Sequence, residues 1–144
     1  MSEMPTPKIP QPTALTRDYW RAASEGTLLV QQCEDCSGVH AVPRHYCPLC
    51  LSSRLAYLPT TGFGVLYSYT VVRRAASKAF AALVPYVVAI VELDEGVRVF
   101  TNIVGTSPGE LTIGDRVSAV FDRAGDEVGL VRFELAIEKG VGAT

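Results

Sequence analysis

Four cysteines in two close pairs are the residues whose types and spacing point most directly to chemistry. Cys33 and Cys36 form one C-x2-C pair, and Cys47 and Cys50 form a second pair after ten intervening residues. Two such pairs can bring four thiolates to one point, the ligand set of a closed tetrahedral metal site. Zinc is the expected metal, while iron in a rubredoxin-like site stays open because tetrahedral sulfur coordination suits both. Since protein ligands fill every position and leave none for a catalytic water, the metal is predicted to be structural.

Two other uses of paired cysteines are disfavoured by the surrounding sequence. Disulfides need an oxidising compartment, but the first twelve residues contain four prolines and no apolar segment typical of a secretory signal. No apolar run approaches the roughly 20 residues of a membrane span. A thioredoxin-like site needs a single C-x-x-C motif at the start of a helix, whereas this chain has two pairs. We therefore expect a cytoplasmic protein, without a membrane partner, whose cysteines bind metal.

No other set of residues has the pattern of a catalytic centre. His40 and His45 lie between the cysteine pairs, where four thiolates already satisfy a metal. Neither histidine has a serine or cysteine nucleophile pattern beside it. The acidic pairs Asp94-Glu95 and Asp126-Glu127 adjoin glycines, which predicts solvated turns rather than buried carboxylates with shifted pKa values. We expect no catalytic residue in this chain.

A basic cluster formed by Arg73, Arg74 and Lys78 is a candidate binding feature. These residues lie in the segment 73–84, between two predicted strands, and loops of that length are often functional. Three cations together can hold an anionic phosphate group. A solvated loop with ordinary charges accounts for them equally well, so the sequence leaves both interpretations open.

Aromatic residues on one predicted strand raise the question of nucleic-acid binding. Phe63, Tyr67 and Tyr69 follow same-face spacing, and such aromatics can stack on bases when they lie on an OB-fold barrel. However, 13 basic and 15 acidic residues give a net charge of −2, and no basic stripe accompanies the aromatics. Since phosphate neutralisation supplies most of such binding, we expect no nucleic-acid partner and assign the aromatics to the barrel core and rim.

A short amphipathic helix is predicted near the N-terminus. Thr16 is suited to the N-cap position, and Gly26 can end the helix in a left-handed conformation. Tyr19 and Trp20 fall on one face with Ala23. These aromatics either pack on the chain's own core or form a partner interface, and the sequence leaves both interpretations open.

Short strands account for the rest of the chain. A strand at 27–32 leads into the first cysteine pair, and 39–42 is the expected return strand. Five segments rich in β-branched and aromatic residues follow, at 63–72, 87–93, 97–104, 117–121 and 128–137. Five strands in about 75 residues suit a small closed barrel, of which the OB-fold is the commonest. The predicted fold is mainly β, with a disordered arm at 1–15, a helix at 16–26, a zinc ribbon at 27–60 and an OB-fold barrel at 61–140.

The order of these motifs resembles that of one known family. The chain contains, in this order, Asp18-Tyr19-Trp20, Cys33-x2-Cys36, Pro43-Arg44, Cys47-Pro48-x-Cys50, Gly62-x-Gly64-x-x-Tyr67, Pro85-Tyr86, Val91-Glu92-Leu93-Asp94-Glu95-Gly96-x-Arg98 and Ile113-Gly114-Asp115-x-Val117. From Asp18 to Phe133 it is similar to the zinc-ribbon plus OB-fold family catalogued as domain of unknown function thirty-five. The resemblance implies an N-terminal helix, a rubredoxin-like zinc ribbon and a C-terminal five-stranded OB barrel.

The resemblance also implies a function. Members of that family are typically non-catalytic partners of thiolase-superfamily enzymes, including thiolases, acyltransferases and the thiolase-like aldolases of steroid side-chain breakdown. In some of them the domain is thought to contact CoA or to bridge two enzymes.

Residues and resemblance together predict an accessory subunit of a hetero-oligomer. It is expected to bind a thiolase-like or lipid-transfer-protein-like enzyme and to help bind or channel an acyl-CoA. Tyr19 and Trp20 are the candidate partner interface, and Arg73, Arg74 and Lys78 are the candidate contacts to CoA phosphate. The alternatives are a stand-alone acyl-CoA-binding protein and, third, a nucleic-acid-binding OB module.

Overall fold

The computed structural model describes residues 10–125 and 127–136, which form one α-helix, a three-stranded sheet and a closed five-stranded barrel. The mainly β fold class expected from the sequence is confirmed. The structure does not describe residues 1–9, Asp126 and residues 137–144. Most of the predicted arm, one residue of a predicted turn and the end of the last predicted strand therefore lie outside the described residues. In the part that the structure describes, no helix is long and apolar enough to cross a membrane.

The helix α1, Arg17–Ser24, follows Thr16 at the N-cap position and ends before Gly26, both as predicted. Gly26 has a φ of +92°, and the amides of Gly26 and Thr27 donate back to carbonyls of the last turn at 3.1 and 2.8 Å. This is a Schellman motif, which requires the left-handed residue. Thr16 occupies the N-cap position but forms no side-chain cap, because its hydroxyl accepts the amide of Thr13 at 3.0 Å instead of an amide of the first turn.

Three antiparallel strands form the ribbon sheet, in the order β2-β1-β3. β1 spans Leu29–Cys33, β2 spans Val39–His40 and β3 spans Leu55–Pro59. The return strand expected at 39–42 is therefore shorter, since pairing stops at His40. β3 was not predicted, because it is short, has no fully buried residue and ends in a proline, as edge strands often do.

The five barrel strands agree with the sequence segments to within a few residues. They are β4, Phe63–Val72; β5, Tyr86–Leu93; β6, Arg98–Ile103; β7, Arg116–Gly125; and β8, Val128–Leu135. The barrel closes in the order β4-β5-β6-β8-β7, with antiparallel pairs except for a parallel contact between β6 and β8. β7 runs beyond the predicted 117–121 because its exposed second half still pairs with β8. This order is that of the OB-fold Greek-key barrel.

A β-bulge at Tyr67 changes which aromatics share a face of β4. The pairing with β5 skips Tyr67, which has no partner residue on that strand. Phe63 and Tyr67 are each 43% exposed, whereas Tyr69 turns inward and its hydroxyl donates to the carbonyl of Leu111 at 3.2 Å. Because the bulge shifts the alternation by one residue, the expectation that these three aromatics lie on the same face is wrong.

One continuous cluster of buried side chains joins the ribbon to the barrel. It contains Leu28, Val30, Leu66, Val87, Ala89, Val91, Leu93, Val97, Ile103, Leu111, Val117 and Phe133. At the junction the amide and hydroxyl of Thr60 both donate to the carbonyl of Leu28, at 3.0 and 2.9 Å. The amide of Thr61 donates to the carboxylate of Glu95 at 2.9 Å. Shared hydrophobic burial and these hydrogen bonds therefore fix the ribbon on the barrel.

Candidate metal centre and adjacent apolar groove

The four cysteine sulfurs meet at one point between the two ribbon turns. The Sγ atoms of Cys33, Cys36, Cys47 and Cys50 all lie within 4.8 Å of one another. The pairs Cys33–Cys50 and Cys36–Cys47 are each 3.6 Å apart, too far for a disulfide. A tetrahedron with metal–sulfur bonds of roughly 2.3 Å has edges of roughly 3.8 Å. The spacing of the sulfurs therefore fits a tetrahedral metal ion.

Backbone amides around the buried sulfurs favour the thiolate form. The amides of Asp35 and Cys36 point at Sγ of Cys33 from 3.4 and 3.5 Å, and the amide of Leu49 points at Sγ of Cys47 from 3.3 Å. The hydrogen bond from the Cys36 amide is the largest influence on Cys33, and the pKa of that thiol is lowered to about 7. Thiolates are the form that binds metal, so the amides around Cys33 and Cys47 favour ligation by these two sulfurs.

Side chains outside the sulfur cluster join the two cysteine turns. The guanidinium of Arg54 lies 2.6 Å from Asp35 and 3.4 Å from Glu34. The hydroxyl of Ser52 donates to the other oxygen of Asp35. The amide of Glu34 donates to the carbonyl of Arg54 at 2.8 Å. Contacts of this kind orient the ligands of a metal site.

The two histidines lie outside the sulfur cluster. Nε2 of His40 bonds to Oε1 of the buried Gln31 at 2.6 Å, and the same oxygen accepts the amide of Arg44 at 2.8 Å. Burial, followed by the charge of Arg44, lowers the pKa of His40 and favours the neutral ring. Among the described residues that could hold a metal, the group consists of cysteines alone, so neither His40 nor His45 replaces a thiolate.

The second cysteine turn presents apolar side chains to solvent, and we call Tyr46, Leu49 and Leu51 the knuckle patch. Their exposed fractions are 61%, 73% and 76%. Leu51 also has a φ of +68°, a left-handed conformation that costs a residue of this type roughly 1–2 kcal/mol. The left-handed residue closes the turn, since the amide of Leu51 donates to the carbonyl of Cys47 at 2.8 Å, but a leucine side chain is not needed for that conformation. A contact role for these exposed apolar side chains stays a prediction.

An apolar groove of about 390 Å³ lies where the helix, the ribbon and the barrel meet. Its lining consists of Thr16, Tyr19 and Trp20 from the helix segment, Leu28, Leu29, Ala41, Val42 and Pro43 from the ribbon, and Arg98, Val99, Phe100, Thr101, Val131 and Phe133 from the barrel. Ala41 and Val42, which the sequence assigned to the return strand, line this groove instead.

The two aromatic residues of α1, Tyr19 and Trp20, differ in what they pack against. Their rings meet edge to face, with centroids 5.0 Å apart. Tyr19 packs against the hydrophobic core, and burial raises the pKa of its hydroxyl. Trp20 is half-buried at the groove. Core packing thus accounts for Tyr19, while a partner contact by Tyr19 or Trp20 stays a prediction.

Arg98 lies at the edge of the groove, and its guanidinium extends over Tyr67, which is not a lining residue. Its guanidinium carbon lies 3.8 Å from the centroid of the Tyr67 ring, an arrangement that holds the cation over the ring face. Glu92 is the residue directly opposite on β5, yet Arg98 forms no ion pair with any described carboxylate. Phe100 beside it is 79% exposed. In the sequence Arg98 stands only within a family motif and Phe100 in none; the alternation of outward Arg98 and Phe100 on one strand was the signal for this edge of the groove.

Arg73, Arg74 and Lys78 lie exposed in the long connection between β4 and β5. This connection contains a short 3-10 helix, Lys78–Phe80. None of the three cations forms an ion pair with a described acidic residue. Their charges are therefore accessible to a ligand, and phosphate binding by this loop stays a prediction.

The acidic pair at the β5–β6 turn is bound rather than simply solvated, which corrects the sequence interpretation. Both carboxylate oxygens of Asp94 accept hydrogen bonds from the guanidinium of Arg116, each at 2.7 Å. These bonds are the main reason that the pKa of Asp94 is lowered. Glu95 accepts the Thr61 amide at the ribbon junction. Each carboxylate has a structural partner, although Oε1 of Glu95 is buried with no hydrogen-bond partner among the described residues, and Asp126 of the other pair lies outside the described residues.

Comparisons with known proteins identify both parts of the chain. Residues 20–56 match the model described as ChsH2, rubredoxin-like zinc ribbon domain. Residues 59–122 match the model described as ChsH2, C-terminal OB-fold domain. Together the two matches follow the division into ribbon and barrel seen in the structure.

Individual relatives extend these matches. The chain is 38% identical over 106 residues to a DUF35 domain-containing scaffold protein of Methanocaldococcus jannaschii, which covers 72% of this chain and 74% of that protein. It is 37% identical over 131 residues to a probable enoyl-CoA hydratase alpha subunit of Thermomonospora curvata, which covers 89% of this chain but 40% of that longer protein. Among solved structures, a chain of the Ltp2-ChsH2(DUF35) aldolase superposes with a TM-score of 0.76 at 34% identity, over 89% of this chain and 99% of that one.

Proposed function

The chain belongs to the DUF35 family, which joins a ChsH2-type rubredoxin-like zinc ribbon to an OB-fold barrel, and we propose that it is a non-catalytic accessory subunit of an enzyme complex. It binds a thiolase-superfamily enzyme, such as a thiolase, an acyltransferase or a steroid side-chain aldolase. In that complex it helps to bind or channel an acyl-CoA.

The observation that carries this proposal is the likeness to a chain of the Ltp2-ChsH2(DUF35) aldolase. That chain is matched over 99% of its length, and its structure is named for an enzyme with two components. The hydratase relative is likewise named as a subunit. Among the described residues we find no nucleophile beside a base and no open metal position, so the partner enzyme supplies the chemistry.

A structural zinc ion in the ribbon would support this role. The four-sulfur geometry suits zinc, and an ion held by Cys33, Cys36, Cys47 and Cys50 would fix the turns that carry the knuckle patch. Metal binding is coupled to folding in small sites of this kind, because the ligands converge only in the folded state. The ion therefore acts as a rigid support for a contact surface and takes no part in the partner's reaction.

The partner contacts apolar residues of the ribbon and the helix. The exposed knuckle patch is one part of this surface. The half-buried Trp20, whose ring meets that of Tyr19 edge to face, is the other. Apolar and aromatic residues are typical of the buried centre of an interface. An accessory subunit requires a surface of this kind, whereas an independent monomer does not.

The acyl-CoA contact is assigned to Arg73, Arg74 and Lys78. Their charges have no described carboxylate as partner, and the loop that carries them is exposed. Guanidinium and ammonium groups form charge-assisted hydrogen bonds with phosphate oxygens. The loop thus suits the phosphate end of CoA.

Co-expression with a thiolase-superfamily enzyme encoded beside the gene tests the accessory role. A stable complex on size-exclusion chromatography is expected, together with an activity that falls by about tenfold or more when this chain is omitted. Separate elution and an unchanged activity would reject the proposal.

A stand-alone acyl-CoA-binding protein is the second candidate, favoured by the accessible cations of the β4–β5 loop. Calorimetric titration of the isolated chain with CoA distinguishes a stand-alone binding protein from an accessory subunit. Tight binding that is lost in a variant with Arg73, Arg74 and Lys78 all changed to Gln supports the second candidate. Binding that needs the partner enzyme supports the accessory role. Arg17→Gln, at an exposed arginine of α1, is the control for loss of a single surface charge and is compared with Arg73→Gln alone.

A further inference from the structure

The apolar groove between α1, the ribbon and the barrel shares Tyr19 and Trp20 with the proposed partner surface, but the accessory role does not require the rest of its lining. Its volume of about 390 Å³ falls within the range of roughly 300–1,000 Å³ that is typical of small-molecule sites. Among its lining residues, aliphatic and aromatic side chains predominate, Arg98 is the cation and no carboxylate occurs. The groove therefore combines an apolar surface with one arginine at its rim, whose guanidinium lies over Tyr67 just outside the lining.

Arg98 is held in place before any ligand arrives. Its guanidinium lies over the Tyr67 ring at 3.8 Å, and a group fixed in this way loses less conformational entropy on binding. Glu92 lies directly across the β5–β6 pair, but the two residues form no ion pair within the described structure. A direct carboxylate contact is thus still available to a ligand.

We propose that this groove is a binding site for an anionic amphiphile, a small molecule with an apolar body of alkyl or ring carbons and one carboxylate. The carboxylate bonds to Arg98 at the rim, and the apolar body packs against Trp20, Leu28 and Val99. Uncharged amphiphiles have no carboxylate to bond to Arg98, and cationic amphiphiles are repelled by its positive charge. The site is separate from the Arg73–Lys78 loop and needs no partner enzyme, so its failure would leave the accessory role untouched.

Trp20 makes the proposal directly measurable. It is the single tryptophan of the chain and it lines the groove, so its emission reports occupancy. The probes are decanoate, its neutral methyl ester and decyltrimethylammonium, each below its micellar concentration. We expect a saturable emission change in which decanoate binds about fivefold or more tightly than either of the others. Cholate, a ring-bodied carboxylate, distinguishes a preference for rings from one for alkyl chains.

Two arginine variants test the role of the charge. Arg98→Gln is expected to weaken decanoate binding by about fivefold while leaving the methyl ester unchanged. Arg17→Gln removes the same charge from an exposed position of α1 that does not line the groove, and it should leave both probes unaffected. Equal binding of decanoate and ester, or an Arg98→Gln variant that still binds decanoate as the parent does, would overturn the proposal.

Other occupants give different results. If Trp20 emission changes with protein concentration alone, a second copy of the chain fills the groove. If deletion of residues 1–9, with no probe added, causes the same change in Trp20 emission as the probe does, the chain's own N-terminal segment fills the groove. Either result, or the absence of any saturable change with the carboxylates, would overturn the assignment to an anionic amphiphile.

Discussion

A Cβ atom on Gly129 would lie 2.3 Å from the carbonyl carbon of Ala23, so β8 and α1 meet backbone against backbone. No side chain fits between them, and glycine is the residue that permits this approach. The contact sets the position of α1 on the barrel, and with it the groove wall formed by Trp20. The ion pair of Arg21 with Glu127 on the same side, at 3.8 Å and largely exposed, adds little to the stability.

Gly129→Ala is therefore expected to displace the helix. The added methyl meets main-chain atoms that cannot rotate away, so the free energy of unfolding should fall by about 1–3 kcal/mol. Denaturant unfolding measures the loss, and a shift of Trp20 emission in the folded protein reports the moved helix. At Gly109 a Cβ meets nothing within 4 Å, so Gly109→Ala should change stability by less than about 0.5 kcal/mol. Equal effects of the two variants would contradict the close contact.

Local patterns explain why the sequence predicted the metal ligands and the barrel. The cysteine ligands come in two short turns, and the spacing within each pair already limits where the sulfurs lie. Strands such as Phe63–Val72 contain β-branched and aromatic residues throughout. This local composition predicts a strand without any information about contacts to distant residues. Features encoded within about ten residues were therefore accessible to prediction.

Features that depend on long-range packing were missed. The strand Leu55–Pro59 forms because β1 offers an edge, not because of its own pattern. The bulge at Tyr67 arises from the pairing of β4 with β5 and reverses the expected position of Tyr69. The groove joins Trp20, Val42 and Arg98, which are far apart in the chain. No single segment contains the information that brings them together.

Removal of one buried thiolate tests the metal centre. Cys47 has no exposed surface, and Cys47→Ser should abolish stoichiometric metal binding and unfold the ribbon, since the site supplies folding free energy there. Hydrogen exchange should show lost protection in β1 to β3 and retained protection in the barrel strands. Elemental analysis of the parent protein is expected to give about one equivalent of zinc or iron.

His45→Ala is the control for this experiment. His45 lies two residues before Cys47 but outside the sulfur cluster, so its variant should keep the metal. Loss of metal from His45→Ala, or retention by Cys47→Ser, would contradict the four-sulfur ligand set.

The Asp94–Arg116 pair is expected to make stability depend on pH in the acid range. Hydrogen bonds from Arg116 lower the pKa of Asp94 below its ordinary value of 3.8. A carboxyl group whose pKa is lowered by folding contributes its full stabilisation at pH values above its pKa in the unfolded chain. This contribution is lost as the pH falls through its pKa in the folded protein. Because both side chains are 40% exposed, Asp94→Asn should cost only about 0.5–1 kcal/mol at neutral pH.

Urea unfolding over a range of pH measures this contribution. The difference between the parent and Asp94→Asn should be constant near neutrality and shrink below about pH 4. Glu110 is exposed and forms no ion pair with a described residue. The free energy of unfolding of Glu110→Gln should therefore differ little from that of the parent at every pH. A difference for Asp94→Asn that persists at the lowest pH would mean that the charge is not its cause.

Leu51→Asn should separate stability from partner binding. Asparagine tolerates the left-handed conformation of Leu51 at φ +68°, so the variant should gain about 0.5–1 kcal/mol of stability. It also removes an exposed apolar contact of the knuckle patch, and affinity for the partner enzyme should fall by about fivefold or more. Ser37→Asn is the matched control, because Ser37 has a φ of +65° in the other cysteine turn and should gain stability without losing affinity. Unchanged affinity in Leu51→Asn would place the partner interface elsewhere.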